Sequence, residues 1–271
     1  MSTTKKVTID SLALEVTRKC NANCAHCLRG NAENKNTNKK VIRQLFKNIE
    51  HIHCITFTGG EPTLYTRALR DTLNVCKEYG VSVDYVYVVT NGIRYSKRLV
   101  DVMNDWMQYC METMGYDFES YRDREFYLGD GIFGLSLSID AFHPRMAEDS
   151  WKYKDLPYYN SCKEHNQKES FLGIIKEGRA ANNSSFIKNS RNLKDYELEF
   201  SFYDNDEEVP EMPEMVYCNV NGEIFPCCDM SFERQRNIAN NENVSIFERS
   251  LFDIIHDEEI DYSGVPNINI A

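Results

Sequence analysis

Positive charge is in short supply. The chain's 271 residues hold 31 Lys and Arg against 42 Asp and Glu, a formal net charge of −11 with His neutral. A surface with that balance repels phosphate backbones, so nonspecific nucleic-acid binding is not expected. Long apolar runs are also missing. No stretch reaches the roughly 18 residues that a membrane span requires. The segment Met1–Asp10 is polar and lacks the apolar core of a secretory signal. A cytoplasmic chain with no membrane partner is the expectation. What is present in quantity is apolar material: 42% hydrophobic residues, with 16 Tyr and 14 Phe. That excludes wholesale disorder and allows one large domain or two modest ones.

Ten cysteines stand out in such a chain. A reducing compartment does not favour a disulfide framework, so spacing becomes the clue. Cys20, Cys24 and Cys27 crowd into one short segment, and Cys218, Cys227 and Cys228 into another. Cys54 and Cys76 lie in apolar-periodic segments and read as small buried hydrophobes. Cys110 and Cys162 carry no assignment.

Strand and helix patterns alternate along the first half. Ser11–Thr17 has strand composition and runs into the cysteine-bearing, Asn-rich stretch. Asn38–Glu50 has helical spacing through Val41, Ile42, Leu45, Phe46 and Ile49. Cys54–Thr58 reads as a buried strand ended by Gly59-Gly60, and Thr63–Tyr79 as a helix stopped by Gly80. Val81–Val89 is the clearest strand, ended by Asn91-Gly92. Ser96–Thr113 reads as a third helix and Phe133–Ile139 as a fourth strand. Repeats of this length imply parallel βαβ units, with functional groups gathered beyond the carboxyl ends of the strands. Gly115–Asp130 reads as an insertion. Phe171–Ile175 and Glu197–Tyr203 are further strand candidates, separated by an Asn/Ser-rich linker at Ala181–Arg191.

Two motifs at those strand ends carry chemistry. Cys20-x3-Cys24-x2-Cys27 places three thiols on one irregular loop. Thiolates in that pattern suit an iron–sulfur cluster with one open iron, or zinc with a fourth ligand, against a background of chance cysteines. His26 lies between two of them and is poorly placed to join the same metal. Thr58-Gly59-Gly60-Glu61-Pro62 follows the second strand. Its glycines permit close approach to the backbone, and Glu61 offers an acceptor for a cationic group.

Together these motifs resemble the radical S-adenosylmethionine (SAM) superfamily. The cysteine loop matches that family's signature, and Gly59-Gly60-Glu61-Pro62 matches its glycine-rich motif. Thr90-Asn91-Gly92 and Ser138-Ile139-Asp140 are similar to further family features. The resemblance implies an α/β fold, a partial parallel (β/α) barrel over residues 11–180, with residues 1–10 as an N-terminal extension. It implies a [4Fe–4S] cluster on Cys20, Cys24 and Cys27, with SAM chelating the fourth iron. It places Gly59, Gly60, Glu61, Asn91, Ser138, Asp140 and His26 around SAM. For Ser138 and Asp140 a strand-end cap is the alternative, and for His26 an exposed loop histidine. The implied reaction is one-electron cleavage of SAM to a 5′-deoxyadenosyl radical that abstracts hydrogen from substrate. An electron donor such as flavodoxin or ferredoxin is implied with it.

Residues 181–271 read as a linker followed by a small hairpin and helix region. Asn221-Gly222 is a strong two-residue turn signal. That turn would set Cys218 opposite Phe225 and Val216 opposite Cys227, with Cys218 and Cys227 on one face. The hairpin resembles the start of the auxiliary-cluster region called SPASM, or its shorter twitch form, and Gly178-Arg179-Ala180 resembles the tripeptide preceding it. No cysteine follows Cys228, so two auxiliary clusters are excluded. One cluster on Cys218, Cys227 and Cys228, with the otherwise unassigned Cys162 as a candidate fourth ligand, or a hairpin without metal, remain the two readings. Relatives of this kind mostly modify ribosomally made peptides or proteins, and some act on sugars, aminoglycosides or other small molecules. A peptide or protein substrate is the expectation and a small molecule the alternative. A non-catalytic zinc or iron–sulfur protein is the reading from a different class.

Overall fold

The structure, a computed structural model, describes residues 5–115, 134–138, 148–156, 175, 177–182, 198–203 and 212–264. Strand β1 (Val7–Thr17) lies centrally, and every residue from Leu12 to Arg18 is buried. A strand covered on both faces needs an almost continuous apolar run, which LALEV provides. Helix α1 (Lys39–Phe46) starts at Asn38, whose side chain accepts the N–H groups of Lys40 and Val41. Strand β2 (Ile49–Gly59) leads through a 3₁₀ turn (Pro62–Tyr65) into α2 (Thr66–Tyr79). Gly80, with φ of 68°, ends that helix in the left-handed region. Strand β3 (Ser82–Thr90), helix α3 (Lys97–Thr113, capped by Ser96) and strand β4 (Gly134–Leu137) follow. Trp106 of α3 packs on Phe57, ring centroids 5.6 Å apart, and donates its indole N–H to the Leu69 carbonyl at 3.0 Å. One ring thereby ties α3 to β2 and α2.

The sheet runs β4-β3-β2-β1-β5-β6, where β5 is Met215–Cys218 and β6 is Ile224–Phe225. All neighbours are parallel except β5 and β6. The expected α/β sheet of parallel strands is therefore present, open rather than closed among the described residues. Helices α4 (Phe232–Asn241) and α5 (Leu251–Ile255) complete it. No helix of the described residues is long and apolar enough to cross a membrane.

Several expected boundaries move. Strand β1 begins at Val7, not Ser11, because Val7 and Thr8 already pair with β2. Helix α1 stops at Phe46, and Ile49 and Glu50 belong to β2. Ile49 satisfies both periodicities, and its ladder partner Val7 decides for strand. The candidate strand at Glu197–Tyr203 contributes one isolated bridge, Phe202 to Pro213, among its described residues. Most of Gly115–Asp130 and of Phe171–Ile175, and all of Cys162, lie outside the described residues.

The hairpin register also differs from expectation. Tyr217 pairs with Phe225 and Cys218 with Ile224. The Asn219 side chain accepts the N–H groups of Asn221 and Glu223 at 3.0 and 3.1 Å. Its own N–H donates to the Glu223 carbonyl. The loop therefore spans Val220, Asn221 and Gly222, one residue more than a two-residue turn. A slip of one residue exchanges the faces of a strand. Cys218 accordingly packs in the main core with Leu14, Val216 and Ile224. Cys227 and Cys228 pack against a second cluster built on Tyr217, Phe225 and Met230. The expectation that Cys218 and Cys227 share a face is thus corrected.

Candidate active site

The carboxyl ends of β1, β2 and β3 come together, as parallel strands require. Past Thr17 the chain enters the cysteine loop, closed at its base by a Thr17–Asn36 bridge and by an Arg18 N–H bond to the Lys35 carbonyl at 2.9 Å. Gly59 and Gly60 receive the start of this loop. A Cβ on Gly59 (φ 133°) would sit 2.1 Å from the Thr17 carbonyl oxygen, and one on Gly60 2.2 Å from that of Lys19. Gly60 N–H donates to the Thr17 carbonyl at 2.7 Å and Glu61 N–H to that of Lys19 at 2.8 Å. Both glycines thus make room for protein backbone.

Glu61 is only 1% exposed. Its carboxylate accepts the Thr63 hydroxyl at 2.6 Å and N–H at 3.1 Å, the Thr90 hydroxyl at 2.7 Å and the Asn91 N–H at 2.9 Å. Asn91 in turn donates its amide to Asn21 Oδ1 at 2.9 Å and approaches Cys20 Sγ at 3.8 Å. A chain of hydrogen bonds runs from the glycine motif through the end of β3 to the first cysteine. Ser138 adjoins it, its N–H bound to the Thr90 carbonyl at 2.9 Å. Asp140 lies outside the described residues.

Cys24 is buried, while Cys20, His26 and Cys27 are half-buried. The Cys27 N–H donates to the Cys24 carbonyl at 3.2 Å. On the other side, Arg179 N–H bonds the Cys27 carbonyl at 2.9 Å, and the Arg179 guanidinium donates to Asn23 Oδ1. A Cβ on Gly178 (φ 55°) would meet the Leu28 carbonyl oxygen at 2.3 Å and Gly30 N at 2.4 Å. The Gly178-Arg179-Ala180 tripeptide is therefore a clamp on the cysteine loop. Burial pushes the Cys20 thiol up. The Ala22 N–H and the Arg179 charge pull it back, and the Glu61 and Cys27 charges add to the rise.

Behind the loop lies a buried polar network that motif reading did not find. Arg18 is fully buried. It donates to Glu15 Oε1 at 2.6 Å, Glu33 Oε2 at 3.1 Å and Gln235 Oε1 at 2.6 Å, and its guanidinium lies 4.4 Å from the Phe232 ring centroid. The Tyr217 hydroxyl donates to Glu15. Arg29 donates to the Met230 carbonyl at 2.9 Å over the Tyr217 ring. These contacts bind the cysteine loop to the hairpin and α4. One signal was legible: Glu15 and Arg18 interrupt an apolar strand. Gln235 gave none. Cys227 is pushed up to about 11 and Cys228 also rises, both by burial, with the Arg29 charge pulling the other way. Burial raises Cys218 as well.

Residues 14–200 match the family model of the radical SAM superfamily. The chain belongs to the radical SAM superfamily. Its open sheet is the partial parallel barrel of that superfamily, and the superfamily implies a [4Fe–4S] cluster and SAM. YydG of Bacillus subtilis (strain 168), a protein whose name refers to peptide biosynthesis, is 25% identical over 276 residues. The match covers 89% of this chain and 76% of YydG. Among solved structures, Streptococcus suis SuiB bound to precursor peptide SuiA superposes with a TM-score of 0.44 at 15% identity, over 95% of this radical SAM chain and 66% of SuiB. Native anSMEcpe with bound AdoMet and Cp18Cys peptide superposes with a TM-score of 0.45 at 13% identity, over 92% and 81%. Superpositions this distant carry no function.

Proposed function

We propose that this radical SAM enzyme modifies a ribosomally made peptide or protein. The observation that carries the reading is the likeness to YydG along 89% of the chain, joined to a cysteine loop hydrogen-bonded to the strand ends and to Arg179. The donor set fits the cluster: three thiols on one loop, none in a disulfide, one buried and two half-buried. We assign Cys20, Cys24 and Cys27 as its ligands. When bound, cluster and SAM supply one-electron cleavage of SAM and hydrogen abstraction from substrate.

The chain's own residues do the positioning. Gly59 and Gly60 seat the loop's first residues against β2. Glu61 holds Thr90 and Asn91, and Asn91 holds Asn21 beside Cys20. The proposed SAM-facing set is Gly59, Gly60, Glu61, Asn91, Ser138, Asp140 and His26. Because four hydrogen bonds already meet the Glu61 carboxylate, its part is to fix this wall of the site. Cys24 is buried, and the half-buried Cys20 and Cys27 keep one side of the loop open to an incoming cofactor. Reduction requires an external donor, which we assign to a flavodoxin or ferredoxin.

An auxiliary cluster at the hairpin is a narrower reading. The adjacent thiols Cys227 and Cys228 beside Arg29 favour it. Cys218, which faces the main core, does not belong to the same ligand group.

Incubation of the reduced, cluster-loaded enzyme with SAM and short peptides encoded beside its gene tests the proposal. Peptide-dependent release of 5′-deoxyadenosine, with a changed residue located by mass spectrometry or chiral analysis, is the expected result. Turnover stimulated by a sugar or nucleoside and by no peptide would move the assignment to small molecules.

A further inference from the structure

At the opposite end of the strands, β2 and β3 bring together a second set of metal-type side chains. His51 and His53 are two residues apart on β2 and therefore project from one face. The register pairs His51 with Ser82, Ile52 with Val83 and Cys54 with Tyr85, which sets Asp84 beside His53. His51 Nε2 lies 3.2 Å from Asp84 Oδ2, and His53 Nδ1 lies 2.5 Å from the same oxygen. One ligand atom from each of the three residues falls within 4.8 Å of the others. His51 is separated from Gly59 by eight positions, roughly 26 Å of strand, so this group stands apart from the cysteine loop.

We propose that His51, His53 and Asp84 form a zinc-binding site on the sheet. Three features support it. The first is the donor set: two imidazoles and a carboxylate suit zinc, with a position left for water. The second is spacing. Ligands at about 2.0–2.1 Å from a tetrahedral zinc are about 3.3 Å from each other, and His51 Nε2 and Asp84 Oδ2 already stand at 3.2 Å. The third is the partner behind His51. Its Nδ1 shares a 2.6 Å hydrogen bond with Ser82 Oγ. With Nδ1–H given to Ser82, the Nε2 lone pair is directed at the other ligands, as a ligating histidine requires. One carboxylate oxygen facing two imidazole nitrogens at these distances leaves zinc or ring N–H groups as the bridge between them. Asp84 is the most buried of the three, with 15% of its side chain exposed, and His53 the most accessible at 54%. The site is thus anchored in the sheet and open to solvent.

The test uses the holoenzyme with its iron–sulfur centre in place, so that the loop thiols are engaged. Zinc binding is measured by anaerobic calorimetry, and Co²⁺ is used as a spectroscopic substitute. The wild type should bind one equivalent of zinc. His53→Ala, an exposed change that leaves the fold intact, should weaken zinc at least tenfold. Asp84→Asn should do the same, and Ser82→Ala should weaken it about 10–100-fold. Cobalt at this site should give the weak visible bands of nitrogen and oxygen ligation, lost in His53→Ala. Equal zinc affinity in the wild type and a His53→Ala/Asp84→Asn variant would overturn the site. So would strong thiolate–cobalt absorption that His53→Ala leaves unchanged, since the ion would then sit on cysteine.

Discussion

At Glu61 one carboxylate takes two hydroxyls and two backbone N–H groups from three residues. An amide cannot do this: Glu61→Gln keeps one oxygen and turns an NH2 group toward a donor. The variant should lose about 1–3 kcal/mol in chemical denaturation. It should bind SAM more weakly while still assembling the cluster. Unchanged stability and SAM affinity would reduce Glu61 to a turn residue. Glu33 supplies the pH dependence. Burial opposes its ionisation, but the hydrogen bond and charge of Arg18, with Lys35 and Arg236, hold its carboxyl below the usual range. A depressed folded value stabilises the fold above the unfolded carboxylate range, and that contribution is lost as pH falls through the folded value. Glu33→Gln should therefore be destabilising at pH 7, and its deficit against the wild type should close below about pH 4. A deficit independent of pH would mean that packing, not charge, is lost.

The cysteine loop is an element without regular secondary structure, and its shape depends on glycines that face it. Gly178 combines φ of 55° with a Cβ position 2.3 Å from a carbonyl oxygen. Gly178→Ala should leave the barrel folded by circular dichroism but cut iron incorporation at the loop severalfold. Full iron loading would show that the clamp is dispensable. The hairpin gives a second prediction. Cys218→Ala should cost roughly 1 kcal/mol, as a small core truncation does, and leave iron content unchanged. Lower iron would restore Cys218 as a ligand. Element types were largely legible because apolar period and capping residues agree across β1–α3. The hairpin shows where legibility stopped. Asn221-Gly222 marked the turn, but the Asn219 side chain lengthened the loop by one residue and exchanged the faces. Ile49 shows the same limit at the end of α1, where a ladder partner over 40 positions away in sequence settles a short apolar run.

In the whole molecule, the sequence reading placed the candidate site at the strand ends but did not find the network behind it. The cysteine and glycine motifs are contiguous, so spacing alone found them. The Arg18 network joins Glu15, Glu33, Tyr217 and Gln235 over more than 200 positions, and no local pattern encodes that meeting. Removing Arg18 would leave Glu15 buried without its cationic partner, with only the Tyr217 hydroxyl still bound to it. Arg18→Met should cost about 3–5 kcal/mol and loosen the loop from α4. The most direct measurement of the radical SAM assignment is iron content and reductive SAM cleavage, made on the anaerobically reconstituted wild type and Cys24→Ala in parallel. The wild type should be brown, hold about four irons at this loop and release 5′-deoxyadenosine, and Cys24→Ala should lose iron and cleavage together. A colourless wild type with zinc in place of iron, or full cleavage by Cys24→Ala, would contradict it.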